Sequence, residues 1–228
     1  LHSALAGSVL EATWLLLPHE AGGIAADAAE KVIESLARVD AFLLGPGLGL
    51  AQGAAGFLAG LLSRDSILPP MVIDADGLRL LADVPGWERL VPAPAVLTPH
   101  PGEMAALTGL SVEQIQAERV EIARRFAAHW GHVVVLKGAL TVVAAPDGRW
   151  GIIPVATSAL AKAGTGDVLA GMISALRAQG VLAYEAAISA AWMHAQAGLV
   201  AECSIGHSAG VMAGDVARSI PEVYQQLS

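Results

Sequence analysis

Cysteine is almost missing from this 228-residue chain. Cys203 stands by itself in an Ala-rich helical pattern, which excludes an internal disulfide and fits a reducing compartment or simple core filling. Positive charge is scarce too. The chain has 13 Lys and Arg against 21 Asp and Glu, a formal charge of −8, and no basic cluster to track a phosphate backbone. Nucleic acid is therefore not an expected partner. No repeat, linker or low-complexity tract interrupts the chain, and its length suits one large core, so residues 1–228 are expected to form a single domain.

Charge is absent from Ala41 to Ser63, a run long enough to span a bilayer, and the mean hydropathy of the chain is high at +0.57. Pro46 and the glycines 45, 47, 49, 53, 56 and 60 cut the run into a short strand, a turn and a small-residue helix suited to tight packing on a sheet. No membrane span is expected. The opening Leu1-His2-Ser3 shows neither an initiator methionine nor the basic start of a signal peptide, and a cytoplasmic location is expected.

What is present alternates in period. Thr13–Leu17 reads as a strand, Ala26–Arg38 as an amphipathic helix, Ala41–Leu44 as a buried strand and Ala51–Leu62 as a helix. Met71–Ile73 and Ala95–Leu97 are further strands, followed by Gly77–Ala82 and Gly102–Leu107 as short helices, and Val112–His129 reads as one long helix closed by Gly131. This βαβα order predicts a parallel sheet with a ligand crevice at the carboxyl ends of its strands. His132–Lys137, Thr141–Ala145 and Trp150–Val155, with the turn Pro146-Asp147-Gly148, predict an antiparallel hairpin edge. Three helices follow, Asp167–Gln179, Tyr184–Ala201 and a segment from about Ala209 to Gln226.

Chemistry gathers in the loops after predicted strands. In Ala163-Gly164-Thr165-Gly166-Asp167 the glycines let an anion approach a bare helix start. Asp167 adds a carboxylate where a plain anion site would not want one, and suits a general base beside a transferring phosphoryl group; otherwise it is a helix cap. Gly45-Pro46-Gly47-Leu48-Gly49 permits close backbone approach to a ligand or makes a tight connection. Asp74 is placed to hold a ligand hydroxyl or metal-bound water, while Asp76 reads as a helix cap. Prolines 99 and 101 hold His100 in an extended loop at low entropic cost. Lys137 ends an apolar strand, so its ammonium reaches a nucleotide phosphate or ribose, or else snorkels to water. The remaining histidines, His194 and His207 among them, make no recognisable metal-ligand spacing and are expected to do no chemistry.

Together, Gly45–Gly49, Asp74-Ala75-Asp76, Leu97-Thr98-Pro99-His100-Pro101-Gly102-Glu103, Val135-Leu136-Lys137-Gly138 and Leu160–Gly171 resemble the NAD(P)H-hydrate dehydratase family. The resemblance covers nearly the whole chain and implies a ribokinase-like, three-layer α/β/α fold. It implies that (6S)-NADHX or NADPHX is phosphorylated on the ring hydroxyl by ADP or ATP with Mg²⁺, after which phosphate leaves and NADH or NADPH returns. By position, Gly47, His100 and Asp167 would contact the hydrated cofactor, with Gly49 and Asp74 as further candidates and Asp167 as the base. Lys137, Gly138, Ala139, Leu140 and Thr141 would line the nucleotide, and Ala163, Gly164, Thr165 and Gly166 would cradle its phosphates.

The family begins with a further Gly-rich segment, so the chain is expected to be N-terminally truncated, either the tail of a protein that also carries the NAD(P)HX epimerase, the product of a partial gene, or a piece lacking part of its sheet; a homo-oligomer is expected as well. Where the family often has asparagine, the chain has Ala156-Thr157-Ser158-Ala159, and Thr157 or Ser158 would supply that contact. A vitamin-precursor kinase of the same fold, or a nucleotide-binding remnant without catalysis, are the alternatives.

Overall fold

Apolar residues on both faces of a strand call for burial between two helical layers, and the central sheet meets that demand. In a computed structural model describing residues 6, 7, 9–63 and 67–227, a small antiparallel ribbon of β1 (His19–Glu20) and β2 (Gly23–Ile24) comes first. The six-stranded sheet then runs in chain order through β3 (Phe42–Leu44), β4 (Met71–Ile73), β5 (Val96–Leu97), β6 (Val133–Leu136), β7 (Val142–Ala144) and β8 (Trp150–Ile152). Strands β3 to β6 are parallel, whereas β6, β7 and β8 pair antiparallel.

Side chains alternate between the two layers with the period of the strand. Met71, Ile73, Leu97, Val134, Leu136 and Val142 enter one core, while Val72, Val96, Val133, Val135 and Val143 enter the other. Parallel strands added in one direction require right-handed crossovers on one face. That face is built from α1 (Ala28–Leu36), α2 (Gln52–Leu61), α3 (Asp76–Ala82), α4 (Pro101–Thr108), α5 (Val112–Ala117) and α6 (Arg119–Trp130). After the hairpin the chain returns over the bare face as α7 (Thr165–Ala178) and α8 (Ala183–Ile205), and α9 (Ala213–Gln225) packs on α8 from outside. The result is a three-layer α/β/α sandwich with an antiparallel edge, as expected.

The charge-free run is a tightly packed element rather than a span. A Cβ on Gly53 would lie 2.2 Å from the Ile24 carbonyl oxygen, and those on Gly56 and Gly60 would lie 2.7 Å from Ala26 and Ala29. Among the described residues no helix is long and apolar enough to cross a membrane.

Three expectations are corrected. Thr13–Leu17 forms no strand: Trp14, Leu15 and Leu16 stay exposed, and β propensity depends on packing against neighbours on a half-buried surface. The predicted helix over Val112–His129 breaks at Glu118 (φ −128°, ψ 39°) into α5 and α6. Cys203 fills no core, for it lies exposed on α8.

Candidate active site

Register levels the strand ends. Leu44 pairs with Ile73, Ile73 with Leu97 and Leu97 with Val134, so Gly45, Asp74 and Thr98 emerge side by side and β6 runs further, to Lys137. The loops then touch: a Cβ on Gly45 would lie 1.8 Å from the Asp74 carbonyl oxygen, which only glycine permits. Asp76 is not a cap, since Ala75 holds that position; its carboxylate instead accepts from the Gly49 N–H at 2.9 Å and ties the Gly-rich loop to α3.

Beneath these loops lies a buried charge cluster. Asp74, 1% exposed, accepts from Lys137 Nζ at 2.5 Å, and Glu103, also buried, sits 3.7 Å from the same ammonium. Burial pushes the Glu103 carboxyl up, against the opposing pull of Lys137 and of the His100 N–H. His100 is the N-cap of α4: Nδ1 accepts from the N–H groups of Gly102 and Glu103 at 2.9 and 3.2 Å, and Glu103 returns a bond to the His100 N–H at 2.8 Å. A nitrogen that accepts two N–H bonds carries no proton, so the ring proton belongs on Nε2, 3.3 Å from Glu103.

Across from this cluster α7 begins. Gly164 is its left-handed N-cap (φ 87°), and the N–H groups of Gly166 and Asp167 have no acceptor among the described residues. A Cβ on Gly166 would come within 3.4 Å of Lys137 Nζ, so this glycine seats the helix start directly over the ion pair. Thr165, buried, hydrogen-bonds through its hydroxyl to the carbonyls of Leu160 and Lys162 at 2.7 and 2.8 Å and braces the loop. Asp167, in the first turn, is exposed, does not cap, and its carboxylate has no partner among the described residues.

A cavity of about 580 Å³ joins the two sides. Of the expected residues its wall contains His100, Lys137, Gly138, Ala139, Thr141, Thr165 and Gly166. Gly47, Gly49, Asp74, Leu140, Ala163, Gly164 and Asp167 lie outside the wall, although Asp74 is bonded to it through Lys137 and Asp167 follows Gly166 in the chain. Thr157 and Ser158 line it as well, with the Thr157 hydroxyl engaged by Glu202 at 2.5 Å.

Three residues carry roles here that local pattern did not reveal. Glu103 was visible only as a helix-start residue. Arg119 donates to the Leu136 carbonyl at 2.8 Å from the start of α6. His194, expected to do no chemistry, lines the cavity, 7% exposed, with Nε2 buried and without a hydrogen-bond partner among the described residues; burial lowers its pKa to about 4. An alanine-rich helix gives no local hint of which residue faces a cavity, so no sequence signal could have found His194.

A family model described as NAD(P)H-hydrate dehydratase matches residues 7–222. The chain belongs to the NAD(P)H-hydrate dehydratase family. It is 41% identical over 224 residues to the bifunctional NAD(P)H-hydrate repair enzyme Nnr of Moorella thermoacetica, covering 98% of the chain and 42% of that protein. It is 42% identical over 189 residues to the ADP-dependent (S)-NAD(P)H-hydrate dehydratase of Neisseria meningitidis, 81% of the chain and 64% of that protein. The chain thus spans less than two thirds of these relatives' length. Among solved structures it resembles the ADP/ATP-dependent NAD(P)H-hydrate dehydratase of Bacillus subtilis co-crystallised with ATP/Mg²⁺, at a TM-score of 0.78 and 29% identity, over 100% of the chain and 76% of that one. A ribokinase-like superfamily protein of Enterococcus faecalis, 23% identical with a TM-score of 0.79 over 100% of the chain and 74% of its own, confirms the ribokinase-like fold.

Proposed function

We propose that this domain dehydrates (6S)-NADHX and NADPHX to NADH and NADPH at the expense of ADP or ATP. The observation that carries the reading is a cavity walled together by His100, the loop residues Lys137, Gly138, Ala139 and Thr141, and the start of α7. Nucleotide phosphates lie at the free N–H groups of Gly166 and Asp167, where the helix dipole favours anions. The hydrated ring lies toward His100, with Gly47 and Gly49 at the far side of its site. Asp167, whose carboxylate is exposed, takes the proton of the ring hydroxyl as its oxygen attacks the terminal phosphoryl group. The helix start and Lys137 stabilise charge on the transferring group. Hydroxide is a poor leaving group and phosphate a good one, so the C–O bond then breaks, and loss of a ring proton restores the double bond.

No three His, Cys, Asp or Glu residues gather into a metal cage among the described residues. This donor set fits a Mg²⁺ that arrives on the nucleotide phosphates and keeps its waters, with Asp167 as the nearby exposed carboxylate. When bound, the ion neutralises phosphate charge. The bifunctional relatives support linkage to a second activity, for which epimerisation of the hydrated cofactor is the proposal; cytoplasmic location and self-association complete it.

Incubation with NADHX and either nucleotide, following the return of reduced-nicotinamide absorbance, tests the reading. Recovery with ADP or ATP, and none without nucleotide, is expected. Accumulation of an intact phosphorylated product would instead establish a kinase.

A further inference from the structure

We infer that Arg119 is a positioning residue that sets the peptide planes of the Lys137–Thr141 loop for nucleotide binding. The inference rests on the reading of that loop as a nucleotide-binding segment. Arg119 reaches from the first position of α6 across the end of β6: Nη2 donates to the carbonyls of Leu136 at 2.8 Å and Lys137 at 3.3 Å, and Nη1 to Gln116 Oε1 at 2.8 Å. In a planar trans peptide the carbonyl and the following N–H point in opposite directions. With the Lys137 carbonyl turned to Arg119, the Gly138 N–H turns away from it, to the side of the cavity that Gly138 lines.

The loop beyond is built to present N–H groups. Those of Gly138, Ala139 and Leu140 donate to no group among the described residues, and Gly138 (φ 149°) and Leu140 (φ 58°) both take positive φ, which turns the chain out of strand geometry beyond β6. Gly138 is also the residue that Arg119 packs against, since a Cβ there would lie 3.1 Å from both terminal guanidinium nitrogens.

Arg119 sits where local rules disfavour it. A cation in the first turn opposes the helix dipole, burial works against its charge, and Nε is buried without a partner among the described residues. The break at Glu118 is what aims its side chain at β6 rather than along the surface of one continuous helix. Lysine could not substitute, because an ammonium is a point charge and cannot span two carbonyls and a side-chain amide as a planar fork does.

The test measures ADP affinity on the full chain by calorimetry, with turnover as second readout. R119K keeps charge and stem but loses the fork. It is expected to raise the Kd and KM for ADP about tenfold, with kcat within about threefold and a melting temperature near that of the parent. R119A is expected to lose more affinity and to regain part of it in millimolar guanidinium. Parent-like ADP affinity in R119K, unfolding of both variants, or absence of ADP binding by the parent overturns the inference. Arg119-dependent ADP binding by a chain that leaves NADHX unchanged would sink the dehydratase reading and leave this one standing.

Discussion

Lys137 carries one positive charge between two buried carboxylates, Asp74 at 2.5 Å and Glu103 at 3.7 Å. Removing one partner of a buried pair leaves the other charge desolvated and uncompensated, so K137M is expected to cost roughly 3–5 kcal/mol, read as a shift of the urea midpoint. Adding D74N should return most of it; a K137M chain as stable as the parent would show the pair to be screened by water. At His100 two jobs coincide. H100A removes the α4 cap and is expected to lose about 1 kcal/mol together with affinity for the hydrated cofactor, whereas H100N keeps a good cap and should lose only the affinity. The Asp167 carboxylate has no hydrogen bond to lose among the described residues. D167N is therefore expected to fold as the parent and bind ADP as well or better, while turnover of NADHX falls roughly 10²–10⁴-fold. Near-parental turnover would leave Asp167 without a catalytic role.

Elements obey their periods where burial on both sides enforces them. On α8 the buried alanines 183, 186, 187, 190 and 191 follow helical spacing and let the helix lie close on the sheet. Ala190 is fully buried, so A190L has no space to enter and is expected to destabilise by about 1–3 kcal/mol, measured by thermal unfolding. The strands β4 to β7 were legible because alternate residues feed two cores. Thr13–Leu17 shows the opposite case, since its apolar, β-prone residues lie outside the sheet and form no strand. The division of Val112–His129 was equally hidden: Glu118 is an ordinary helix former, so no residue type marks the break that precedes Arg119.

Over the whole molecule, buried histidines tie stability to pH. His132 is fully buried, its ring accepting from the Ala95 N–H at 3.2 Å and lying 3.1 Å from the Glu88 carbonyl; burial lowers both it and His194, the latter to about 4. A histidine lowered by folding binds its proton more readily in the unfolded chain. Its contribution is whole above the ordinary value of about 6.5 and is lost as pH falls toward the folded value. Glu103, raised, acts in the opposite sense, and its share is lost as pH rises through its folded value. With two histidines against one carboxyl, the melting temperature is expected to fall between roughly pH 6.5 and pH 4. H132Q should flatten that fall; an unchanged slope would count against the assignment.

Residue order by itself determined the alternating elements, the antiparallel edge and four of the loops that meet at the strand ends, because period, glycine and proline act over a few neighbours. It also marked Lys137, His100 and Gly166 as residues for one site. Which groups pair inside that site was decided only by tertiary structure. The ion pair of Asp74 with Lys137 spans 63 positions, and the bond from Arg119 to Leu136 spans 17. His194 meets the cavity only because α8 returns across the sheet. Such contacts depend on strand register and on how a helix is rotated against the sheet, and those are set by the packing of the whole core rather than by any local run of residues.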